Sequence, residues 1–192
     1  MGKSSHNYFC IETEWYFFKL RVMDPFSSEP VLQILENTYD SKYLYRRVAT
    51  KSELKYVIGR LKLKSFSDYD VVYLPFHGES NCIKLEGEGR SPKNNLVSFE
   101  ELAKIAEGAF ENRIVHFSSC ETLSSEEEVR KFKRITKAAL VSGYTTTVDS
   151  MRSTIADLTY FDMLHRYAIS GIKTAMPKYN KDICEELGFK IF

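Results

Sequence analysis

The chain has 192 residues, 43% of them hydrophobic and 28% charged, with a formal net charge of +1. That length suits one domain, expected to span 1–192, with a core large enough to need no staples. The balanced charge argues against a broad nucleic-acid or anionic-membrane footprint, and no apolar run approaches the ~20 residues that cross a bilayer.

The N-terminal "MGKSSHNYF" lacks the apolar stretch of a secretory signal, so a cytoplasmic location is expected. Cys10, Cys82, Cys120 and Cys184 are scattered, with no paired or zinc-type spacing. They are expected to be reduced, and neither a metal nor another cofactor is implied.

In chain order, "NYFCIETEWYFFKLRVM" (7–23) reads as one or two strands, rich in aromatic and β-branched residues. "PFSSEP" (25–30) interrupts it, "VLQILENTY" (31–39) reads as a short helix, and "KYLYRRVA" (42–49) as a strand. Thr50 and Glu53 have capping-box spacing, and Leu54, Val57, Ile58 and Leu61 place one apolar face on the helix that follows. "DVVYLPF" (70–76) is a continuous apolar run, as in a strand covered on both faces, and Pro75 marks where its ladder stops.

Residues 79–97 are polar and glycine-rich and read as a hairpin or excursion over the sheet end. Ser98 and Glu101 repeat the capping-box spacing, with Leu102, Ile105, Ala106 and Ala109 as the buried stripe. "RIVHFSS" (113–119) is the next strand. "SSEEEVRKFKRITK" (124–137) runs from serines through acids to bases, the order that complements a helix dipole. "AALVSGYTTTV" (138–148) reads as a strand. Ile155, Leu158, Phe161, Leu164 and Ala168 mark a long helix that Gly171 ends, and a short helix is expected near 181–187. Alternation of this kind predicts an α/β fold, a three-layer α/β/α sandwich on a mostly parallel sheet.

Ligand sites in such sheets form beyond the carboxyl ends of the strands. His77 and Cys120 each fall at such an end, one helical crossover apart. A Cys beside a His makes a thiolate nucleophile, and the backbone N–H groups of Gly78 and Cys120, freed from the ladder, would form an oxyanion hole. Glycine at 78 would let a substrate carbonyl come close to the backbone. His116 shares a strand with Cys120 but lies ~13 Å back at 3.3 Å per residue, so it reads as a satisfied core histidine. His165 and His6 are not candidates.

A hydrophobic block ending in His-Gly, "VVYLPFHG", followed by one ending in small residue-Cys, "IVHFSSC", resembles the caspase-like cysteine peptidases. That group includes caspases, separase, gingipains, legumain and bacterial CHAT domains. "ALVSGYTTTVDSM" and the helix after it look most like the CHAT domains, over about residues 70 to 171. The resemblance implies a caspase-like fold and a cysteine endopeptidase, with His77 as general base, Cys120 as nucleophile and Gly78 helping to hold the oxyanion.

It also implies a polypeptide substrate, with Ser119, Glu121 and Asp149 as substrate-binding positions. A regulatory protein partner or self-association would gate activity, and no nucleic acid or membrane is expected. An acid at Asp149, or at Asp157 beyond it, would favour Arg or Lys before the scissile bond, although Asp149 also suits a helix cap. The chain departs from the caspase form Q-A-C-x-G, since Glu121 follows Cys120. The alternative is therefore an inactive binding or regulatory module on the same fold. A thiol α/β-hydrolase would need glycines flanking the cysteine, and a phosphate binder would need G-x-G-x-x-G; neither pattern is present.

Overall fold

The structure, a computed structural model, describes residues 5–15, 27–87 and 95–192. Its elements are β1 (Tyr8–Thr13), α1 (Glu29–Tyr39), β2 (Tyr43–Val48), α2 (Lys51–Arg60), β3 (Val71–Pro75), β4 (His77–Glu79), β5 (Cys82–Lys84) and β6 (Leu96–Ser98). They continue through α3 (Phe99–Ile105), β7 (Ile114–Ser118), α4 (Glu126–Thr136), β8 (Leu140–Tyr144), α5 (Ser150–Arg166), α6 (Ile169–Tyr179), α7 (Lys181–Leu187) and β9 (Phe189–Ile191).

A six-stranded sheet runs in the order β2-β1-β3-β7-β8-β9. The first five strands are parallel and β9 is antiparallel to β8. Alternation along each strand sends successive side chains to opposite faces. Phe9, Ile11, Val72, Leu74, Val115 and Phe117 meet α2, α3 and α4 on one side. Tyr8, Cys10, Val71, Tyr73, Ile114 and Tyr144 meet α1, α5, α6 and α7 on the other. The molecule is thus a three-layer α/β/α sandwich whose β1 and β3 are buried along their whole length. Strands covered on both faces have no polar side to show, which is why they read as unbroken apolar runs.

Local signals explain most element ends. Thr50 accepts from the Glu53 N–H while the Glu53 carboxylate accepts from the Thr50 N–H, closing the expected capping box. Ser98 accepts from the Glu101 N–H, but the Glu101 carboxylate turns to Lys51 Nζ, 3.0 Å away. Of the expected stripe on α3 and the turn after it, Leu102, Ala106 and Ala109 are buried and Ile105 is partly so. Acids open α4 and Lys133 and Arg134 close it.

Three expectations are corrected, and the hairpin expected at 79–97 is found. Gly171 does not end the long helix: α5 stops at Arg166, where Tyr167 turns extended, and Gly171 lies inside α6. Ile155 and Ala168 are exposed, and the buried face of α5 is carried instead by Ala156, Asp157, Tyr160, Phe161 and Leu164. The excursion at 79–97 is a second, three-stranded antiparallel sheet, β4-β5-β6, with its residues 88–94 outside the described part. Strand β9 was not expected at all. The second half of the aromatic segment, 16–23, also lies outside the described residues.

Candidate active site

The parallel register fixes the site. Pro75 on β3 pairs with Ser118 on β7. His77 and Cys120 each follow that pair by two residues, so they leave adjacent strands at the same height. Both line one cleft of about 790 Å³ at the carboxyl edge of the sheet. The strand order reverses direction between β1 and β3, and a doubly wound sheet has its binding crevice at such a switch point. Here the cleft carries Glu12 from the end of β1, Tyr73 and His77 from the β3 side, Ser118 to Cys120 after β7, and Val148 to Met151 before and into α5.

His77 is not in a free loop. It opens β4, where it faces Lys84 of β5, and Gly78 faces Ile83. The expectation that Gly78 leaves the ladder is corrected accordingly. So is the reason for its glycine. A Cβ there would lie 2.0 Å from the Cys120 carbonyl oxygen and 2.8 Å from the Cys120 nitrogen. Those distances are far inside contact range, so the position must lack a side chain because two backbone segments touch. That contact docks the small sheet against the turn bearing Cys120. At the hairpin tip, Ser80 Oγ lies 2.7 Å from Ser124 Oγ, and Asn81 Oδ1 accepts from the Ser125 N–H at 2.9 Å. The start of α4 therefore pins the far end of the same unit.

The His77 side chain is 49% exposed. Partial burial, opposed by Glu86 and aided by Lys84, draws its proton affinity below the usual histidine value. The ring is thus a neutral acceptor at neutral pH, as a general base needs. Trp15 packs across it at 4.4 Å between centroids, 85° between planes. Cys120 Sγ receives the Val148 N–H at 3.4 Å and lies 3.7 Å from the Val148 carbonyl. The other thiols are poorer nucleophiles: burial pushes Cys10, Cys82 and Cys184 up, each with carboxylates adding to the effect.

Of the other positions singled out from sequence, Ser119 and Asp149 line the cleft and Glu121 is not among its lining residues. Ser119 is buried and accepts from Thr122 Oγ1. Asp149 Oδ1 caps α5, accepting from the Met151 and Arg152 N–H groups. Glu121 has a left-handed backbone, φ 54°, and its carboxylate accepts from Thr147 Oγ1.

Beneath the cleft floor lies a polar cluster that the sequence did not announce. Asp157 is wholly buried. Its Oδ2 accepts from Tyr73 Oη at 2.7 Å and Ser118 Oγ at 2.6 Å. Its Oδ1 accepts from Tyr144 Oη at 2.5 Å and lies 2.7 Å from His116 Nε2. His116 Nδ1 meets Ser142 Oγ at 2.9 Å, so the partners assign the Nε2–H tautomer. Burial, and then the Asp157 charge, holds both phenols well above their ordinary range, so they stay donors. Asp157 is saturated and does not face a substrate. A buried Asp on the apolar face of α5 is the signal that would have found it. The expectation for His116, a satisfied core histidine, holds.

Among the described residues no group of three or more His, Cys, Asp or Glu side chains is placed to hold a metal ion. No described helix is long and apolar enough to cross a membrane.

Fold and cleft together define a doubly wound α/β domain with a His and a Cys at one rim. Over residues 5–192 the chain matches the group described as Family of unknown function (DUF6642), and it belongs to that family. No curated protein matches it.

Proposed function

We propose that this protein is a caspase-like cysteine endopeptidase working through Cys120 and His77. The observation that carries the reading is the register: base and nucleophile stand two residues beyond one strand pair and open into one cleft. The lowered proton affinity of His77 supports it.

In this reading Cys120 Sγ attacks the scissile carbonyl and its proton passes to His77. The Cys120 N–H, beyond the end of β7, receives the oxyanion. The imidazolium returns the proton to the departing amine, and water hydrolyses the thioester. Ser119 and Asp149, which line the cleft, are the substrate-side positions of this proposal, with Glu121 next to Cys120 in sequence. A polypeptide is the substrate, a protein partner or second copy the regulator, and the cytoplasm the location.

Site-resolved alkylation with iodoacetamide near neutral pH tests the dyad. Cys120 is expected to react roughly 10- to 100-fold faster than Cys82 or Cys184, the span that thiolate activation provides. His77→Ala is expected to abolish the difference. Equal, slow labelling of all three thiols would overturn the peptidase reading and leave a binding module on this fold.

A further inference from the structure

A lone imidazole at a rim can rotate, so a working base needs something to hold it. Two elements meet His77. Trp15, just beyond β1, sets its ring across the imidazole. Glu86, two residues past β5, brings Oε1 to 3.7 Å from His77 Nε2. That is ion-pair range and longer than a hydrogen bond, as orienting contacts in ligand-free sites commonly are.

Glu86 is held from both sides. Leu85 before it is buried, and its N–H donates to the Asn95 carbonyl at 2.8 Å. Gly87 after it donates to the Ala49 carbonyl at 2.8 Å, with no room for a Cβ against Ala49. The carboxylate therefore does not hang from a loose loop; the backbone delivers it to the ring. Lys84, opposite His77 in the register, shares Oε1 at 3.7 Å. The charged groups facing His77 are thus Glu86 and Lys84 from the small sheet, with the acids Glu12 and Asp149 and the thiol of Cys120 elsewhere in the cleft.

We propose that Glu86 is a positioning residue which, with Trp15, holds His77 as the Nε2–H tautomer and leaves the Nδ1 lone pair to take the Cys120 proton. This rests on the reading of His77 as the base. When Cys120 attacks, the S–H bond breaks and Nδ1–H forms. The imidazolium keeps Nε2–H toward Glu86, and Nδ1 then gives its proton to the leaving amine. The dyad becomes an oriented triad, Glu86–His77–Cys120, in which the acid touches neither substrate nor sulfur.

The test is ¹⁵N NMR of the His77 ring in the full chain, read for tautomer and for titration midpoint. The Nε2–H form is expected to dominate in the unsubstituted protein. Glu86→Gln should lower the midpoint, because the imidazolium loses its counter-charge, and should mix the tautomers. Glu86→Asp should recover part of both, and Lys84→Met should raise the midpoint. A dominant Nδ1–H form, or a midpoint and tautomer unmoved by Glu86→Gln, would overturn the proposal. If Glu86→Gln does not fold, Lys84→Met decides, since a midpoint that stays or falls overturns it. None of these readings needs peptide cleavage. Failure here with fast Cys120 alkylation removes Glu86 alone, whereas slow alkylation with the expected tautomer removes the peptidase reading.

Discussion

Of the histidines that lie next to acids, His116 beside Asp157 and His77 beside Glu86 have surroundings that differ completely. His116 and Asp157 are 0% and 1% exposed, while His77 and Glu86 are 49% and 22% exposed. The interior pair has every polar atom engaged, by Tyr73, Tyr144, Ser118 and Ser142. The rim pair has open space in front of it. A saturated pair in low dielectric holds a shape, and a half-wetted pair can exchange a proton. The contrast separates architecture from chemistry on one strand, because β7 carries His116 within it and Cys120 just beyond its end.

The contrast breaks most visibly at Asp157. Asp157→Ala should cost about 3–5 kcal/mol, because it strands four polar partners, three of them buried. His77→Ala should stay within about 0.5 kcal/mol, as a half-exposed ring contributes little. Chemical denaturation of both variants checks this, and similar losses would erase the distinction.

Gly78→Ala comes next. A methyl forced against the Cys120 carbonyl should cost about 1–3 kcal/mol, the range of overpacking, and should shift Cys120. A melt and an alkylation rate both unchanged would show that the contact is slack.

The smallest effect concerns pH. The folded state holds the His77 midpoint below that of the unfolded chain. Between the two values the unfolded chain binds more protons, so this group's share of stability is complete above the ordinary histidine value near 6.5 and is lost as pH falls through the folded midpoint. His77→Ala should flatten that acid-side slope in denaturation curves taken across the window. A slope that persists unchanged belongs to other groups.

Strands β3 and β7 were legible because a strand covered on both faces is apolar throughout, and α2 because its cap and its stripe agree. That His77 and Cys120 open into one cleft was legible for the same reason: each stands just beyond a buried run. Glu86 was not, since it sits in a glycine-rich stretch and only the register His77 to Lys84 brings it to the ring. Strand β9 was hidden because three residues after a helix carry no period. Gly171 misled because a glycine is as often tolerated within a solvent-facing turn as used to stop one, and nothing lies near its missing Cβ.

The base and the sulfur are carried by different sheets. Cys120 follows the main sheet, whereas His77 belongs to a small hairpin unit fastened at Gly78 and at Asn81. Their separation is therefore a joint tolerance rather than a property of either part. If the proposed dyad is right, a binder that levers the hairpin tip away from the start of α4 would throttle it from outside the cleft, with no need to enter it.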